Sequence, residues 1–140
     1  MSNIDSLNLF TEIGSVNNHL NRNLDRTLGA IHGIGVSDFR VMHQLELAPA
    51  NVLSRVELAE KVSLTASGIT RLLNPMEKIG LIEKLQNERD ARVSLVRLTE
   101  AGKQRFKQAQ ESFIAVMDNS LNKLNPSEKN KLIELLSKVS

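Results

Sequence analysis

Between Ser54 and Leu98 the spacing of the apolar residues changes once, and that change limits what the chain can fold into. Before Gly80 the spacing is helical. Ser54-Arg55-Val56-Glu57 is a capping box, in which the serine hydroxyl takes a first-turn N–H and the glutamate reaches back to the cap. A short helix follows with Val56, Leu58, Ala59 and Val62 inward. Ser63 and Leu64 form a turn, and Thr65 caps a helix burying Ile69, Leu72, Leu73, Met76 and Ile79, which fall on one stripe. After Gly80 the pattern reads as strand: Leu81-Ile82-Glu83-Lys84-Leu85-Gln86 and Val93-Ser94-Leu95-Val96-Arg97-Leu98, joined by the polar Asn87-Glu88-Arg89-Asp90-Ala91-Arg92. Two short helices with small Ala59 at their crossing describe a helix-turn-helix, although they also describe an ordinary helical hairpin. The β-hairpin with a basic tip decides for the winged form.

The flanks are helical. Leu7, Phe10, Ile13, Leu20, Leu24, Leu28 and Ile31 share one face of a first helix that ends near Gly33-Ile34-Gly35. Ser37 is positioned to cap a second, carrying Phe39, Met42 and Leu45, which Pro49 breaks. Thr99 caps a long helix with Phe106, Ala109, Phe113, Val116, Met117 and Leu121 inward. Asn125-Pro126-Ser127-Glu128 starts a last one presenting Leu132, Ile133, Leu135, Leu136 and Val139. The predicted class is mainly α with a small β-hairpin wing. One globule of this size has trouble covering the apolar faces at both ends, so a symmetric dimer through the terminal helices is expected.

Charge and composition narrow the function. The net charge of +2 conceals a middle segment, residues 54–107, that carries +4 between ends of −2 and zero. That is a weak footprint of a polyanion site, and charge alone leaves a plain solvated surface equally open. The absence of cysteine excludes disulfides, thiolate zinc sites and thiol redox sensing. The longest apolar run is the five residues 113–117, against about 20 for a membrane span. With an N-terminus unlike a signal peptide, this predicts a cytoplasmic protein with no membrane partner. No nucleophile–base pair, phosphate-cradling glycine loop or metal cluster is evident, so no enzymatic activity is expected.

Residues 54–102 resemble the MarR family of bacterial transcription regulators. The resemblance is carried by Glu57-Leu58-Ala59, by Thr65-Ala66-Ser67-Gly68-Ile69-Thr70-Arg71-Leu72-Leu73, and by Met76-Glu77-Lys78-Ile79-Gly80-Leu81-Ile82. Asp90-Ala91-Arg92, placed before Leu98-Thr99-Glu100-Ala101-Gly102, matches the family's wing signature. The resemblance implies one domain over residues 1–140, with a winged helix-turn-helix DNA-binding core at 37–99 and dimerisation helices at 1–33 and 100–140. It implies a homodimer on a palindromic operator in double-stranded DNA, in most such proteins as a repressor. The helix beginning at Thr65 would enter the major groove and each wing the flanking minor groove.

The residues suit that role. The outward face of the second helix holds Ala66, Ser67, Thr70, Arg71 and Asn74; arginine can read guanine, asparagine adenine, and hydroxyls bases or phosphates. Small residues at its start let Thr65 and the free N–H groups approach phosphate. At the wing tip Arg92 suits a narrow minor groove and Asp90 can hold its guanidinium; a hairpin-tip ion pair with no further role is the alternative. Arg89 is a candidate phosphate contact, and Arg55 and Lys84 are either phosphate contacts or solvated charge. Two departures stand out: Pro75 lies within the recognition helix, where a bend is expected, and Leu85 replaces a residue often basic in the family.

Family members often release DNA when a small aromatic or phenolic molecule binds beside the core, so the resemblance implies such an effector and no cofactor. His19, His32, Phe39, Arg40, His43 and Phe106 are candidate liners, with core packing the competing role for the phenylalanines. The three histidines lack metal-ligand spacing. The rival reading is a winged-helix interaction module, or an anti-repressor, that binds protein and reads no DNA.

Overall fold

A computed structural model describes residues 3–140 of the chain. Six helices surround a three-stranded sheet: α1 (Asn3–His32), α2 (Val36–Leu47), β1 (Val52–Ser54), α3 (Arg55–Lys61), α4 (Ala66–Lys78), β2 (Ile82–Gln86), β3 (Ser94–Leu98), α5 (Glu100–Ser120) and α6 (Pro126–Ser137). The sheet order is β1-β3-β2, antiparallel throughout. Central β3 sends Val96 and Leu98 into the core, where they meet Leu53 across β1 and Ile82 across β2.

Most helix starts are fixed by local chemistry. The hydroxyls of Ser54, Thr65 and Thr99 each accept the N–H three residues on, and Asn125 does the same with its amide oxygen. Glu57 and Glu128 complete reciprocal boxes at α3 and α6. The start of α2 differs from expectation. Ser37 lies inside the helix and Gly35 is the cap; Asp38 takes the Gly35 N–H at 2.8 Å and Asp25, from α1, takes that of Val36 at 2.8 Å. A carboxylate from the preceding helix does the work assigned to a local serine.

The core is a single cluster linking α1, α2, the sheet, α3, α4 and α5. Leu24, Leu28, Val41, Met42, Leu45, Leu58, Ile69, Leu73 and Met76 are all buried. Burial of each such side chain stabilises the fold by about 1.5–3 kcal/mol. The winged segment is locked to α5 at one point: Thr99 donates its N–H to the Leu81 carbonyl, and any side chain at Gly102 would collide with that carbonyl and with Leu98. Gly80 ends the α4 turn in the left-handed region, at φ +80°.

Three further sequence expectations change. A three-residue strand, β1, follows the helix break at Pro49, where no strand was expected. Val56 and Ile79 face solvent, at 71% and 59% exposure, because they sit at helix ends that turn away from the core. Leu72 is only partly buried at the core's margin. Pro75 lies inside α4, as expected, and the helix continues through it to Lys78.

Candidate nucleic-acid interface

The outward side of α4 is built from its N-terminus upward. Thr65 Oγ1 accepts the Gly68 N–H at 3.0 Å and lies 3.3 Å from Ser67 Oγ, so the first turn carries two hydroxyls and an exposed Ala66. Thr70 Oγ1 donates to the Ala66 carbonyl at 3.0 Å and accepts from Arg55 Nη1 at 3.1 Å. Arg71, exposed on the next position, has no hydrogen-bond or ion-pair partner among the described residues. Its five donors in a planar fork are available to a ligand.

Asn74 closes the row. Its Oδ1 accepts from Lys84 Nζ at 2.6 Å, and the same ammonium lies 3.7 Å from Glu77 Oε1. Lys84 is on β2, so this contact sets the wing's first strand against the exposed side of α4. Thr65, Ala66, Ser67, Thr70, Arg71 and Asn74 therefore all lie on α4 or at its cap, along its solvent side, as the helical spacing predicts. The roles of Arg55 and Lys84 were not legible. Both turn toward α4 side chains, and no sequence pattern links residues 15 and 10 positions apart across a turn.

The wing tip is ordered by its own polar groups. Asn87 Oδ1 accepts the N–H groups of Arg89 and Asp90 at 2.8 and 3.2 Å, and Val93 donates back to the Asp90 carbonyl at 3.0 Å. Asp90 receives both Arg92 Nε at 3.0 Å and Arg92 Nη2 at 3.2 Å. These contacts, with the Arg92 backbone N–H, hold the Asp90 carboxyl below its ordinary pKa. The Arg92 side chain is still 90% exposed. It is thus oriented without being consumed, which lowers the freedom lost on binding. Arg89 is exposed, and only its backbone is engaged in the turn. At the wing's base Glu83 and Arg97 pair across the sheet.

Of the six expected effector liners, Phe39, His43 and Phe106 come together, and they do so as packing around the core. Phe39 stacks on Phe113 at 4.3 Å between centroids and packs against Phe106 at 4.9 Å, so these rings belong to the core between α2 and α5. His43 lies over the edge of that cluster, 5.9 Å from Phe106. His32 bonds Ser112 at 2.8 Å and His19 contacts Asn23 at 3.2 Å, while Arg40 is exposed. A depression of about 410 Å³ does open between α1 and α5, lined by Arg26, Ile31, Ser112 and Val116 among others, and by none of the six candidates. Among the described residues no group of histidines and carboxylates is arranged to hold a metal, and no helix is long and apolar enough to cross a membrane.

Residues 36–94 match the model of the MarR family. Among curated proteins, the chain is 35% identical over 95 residues to an HTH-type transcriptional regulator of Bacillus cereus, spanning 68% of this chain and 63% of that protein. It is 28% identical over 105 residues to the HTH-type transcriptional regulator YdgJ of Bacillus subtilis, spanning 75% of this chain and 64% of the relative. The chain thus spans just under two thirds of the length of these relatives. Among solved structures, a variant of MarR from Escherichia coli complexed with operator DNA superposes with a TM-score of 0.87 at 27% identity, covering 99% of each chain.

Proposed function

We propose that the chain is a member of the MarR family and, as such, a sequence-specific DNA-binding transcriptional regulator. It acts as a homodimer on an inverted repeat, most simply as a repressor. The observation that carries the proposal is Arg92, a wing-tip guanidinium held by Asp90 yet left open to solvent, on the domain that also displays Arg71 on α4. An arginine so presented gains from the negative potential of a narrow minor groove. Arg71 can read a guanine edge, and Thr65, Ser67 and Thr70 have hydroxyls for phosphate or base contacts. Arg89 adds a phosphate contact.

The dimer follows from what one copy leaves uncovered. Leu7, Phe10 and Ile13 on α1 and Leu132, Ile133, Leu135 and Leu136 on α6 are exposed. Two-fold association that joins these stripes removes them from water in both copies at once. The depression between α1 and α5 is where a small aromatic or phenolic effector fits the proposal, in place of the six residues singled out from sequence. The same reading puts the chain in the cytoplasm and assigns it no catalytic reaction.

The test is enrichment of fragmented genomic DNA by the purified chain near physiological salt, followed by sequencing. Recovery of a few promoter fragments sharing an inverted repeat, with half-sites about one helical turn apart, is expected. Absence of enrichment, together with weak binding at low salt, would favour the protein-interaction module.

A further inference from the structure

We infer that Lys84 is a specificity-determining positioning residue: it turns the Asn74 amide so that this side chain meets DNA as a hydrogen-bond donor. The inference rests on the DNA-binding reading above. An ammonium group has only donors, so the atom 2.6 Å from Lys84 Nζ must be the amide oxygen, and the opposite amide orientation would set N–H against N–H. Glu77, 3.7 Å from the same ammonium on the next turn of α4, holds Lys84 from its other side. With the oxygen so engaged, the outward atom of Asn74 is its NH₂.

The consequence is a choice between bases. A free asparagine pairs with adenine through both atoms, taking a proton from N6 and giving one to N7; a donor-only asparagine loses the first half of that pair. It instead suits edges made of acceptors, guanine N7 and O6 or thymine O4. The ammonium beside the oxygen strengthens the choice, because it repels the amino hydrogens of adenine and cytosine. Two elements thus set one base position, α4 by carrying Asn74 and the wing strand β2 by fixing its polarity.

The experiment is selection from duplexes randomised across one half-site, using the full chain, Asn74→Ala and Lys84→Met, each first shown to have an unchanged circular dichroism spectrum. Asn74→Ala locates the position by erasing preference there. At that position the unsubstituted chain should favour guanine or thymine, and Lys84→Met should move the preference toward adenine by about tenfold while other positions stay as they were. In the DNA-free protein, the Asn74 side-chain amide signals in ¹⁵N NMR should shift on Lys84→Met, which a role confined to phosphate contact would not cause. A uniform loss of affinity across all sequences, an unaltered preference, or unmoved amide signals would each overturn the role of Lys84. If the unsubstituted chain enriches no sequence at all, the regulator reading itself fails and the specificity role goes with it; a defined half-site that Lys84→Met leaves unaltered overturns only the inference.

Discussion

The winged segment and the two chain ends of this protein are built from similar residues and finish in opposite states. From β1 to β3 the large apolar side chains of α3, α4 and the sheet are mostly buried, and the polar ones near α4 and the wing tip are largely paired with one another. Along α1 from Leu7 to Val16 and throughout α6 the apolar side chains are exposed, with Phe10 at 80%. The helices at the ends are no less regular; α6 has a complete capping box. Good local helix signals are therefore not what separates the regions. The wing completes its packing within one chain, whereas the ends have packing surfaces left uncovered among the described residues.

That contrast predicts different responses to similar truncations. Leu73→Ala, at a fully buried site on α4, should cost about 2–5 kcal/mol of stability, read by urea unfolding and independent of protein concentration. Phe10→Ala should leave the unfolding of the dilute chain within about 0.5 kcal/mol but raise the concentration at which it associates, read by sedimentation. Deleting residues 124–140 should weaken association and operator binding together; a truncated chain that remains a fully active dimer would break the comparison at α6.

On the wing, Arg92→Ala should weaken operator binding by about 1–3 kcal/mol with no change in circular dichroism, and an unchanged affinity would refute the assignment of the tip. Thr65→Ala removes the cap that holds the first turn of α4 and should cost about 1 kcal/mol, seen as a lower unfolding midpoint. The smallest effect concerns pH. Because contact with Arg92 lowers the Asp90 pKa, whatever the contact contributes is present above the carboxylate's unfolded value and is lost as pH falls through the lowered one. NMR titration should find Asp90 below its ordinary value of 3.8, and moved back toward that value in Arg92→Ala, where only the backbone N–H of residue 92 still lowers it.

What was legible in the sequence divides along physical lines. The starts of α3, α4, α5 and α6 were legible because each cap bonds within its own first turn. The hairpin was legible because two runs of strand-forming residues, 81–86 and 93–98, flank the polar connection 87–92. The cap of α2 was not, since its second carboxylate, Asp25, arrives from another helix. Nor was β1, whose three residues are too few to show a period and which exists only because β3 pairs with it. Val56 misled because a seven-residue helix is too short for spacing to define its inner face. At the interface, the row from Thr65 to Asn74 followed from helical geometry. The contacts that organise it, Arg55 to Thr70 and Lys84 to Asn74, depend on side-chain reach across elements, as does the stacking that commits Phe39 and Phe106 to the core.

The central claim is that one copy supplies a complete reading surface and only half of a dimer. Native mass spectrometry of the full chain with a short duplex bearing an enriched inverted repeat tests both halves together. The account predicts a complex of two copies per duplex, with two copies also the dominant species before DNA is added. A single copy bound tightly and sequence-specifically to the duplex, with no dimer at any workable concentration, would contradict it.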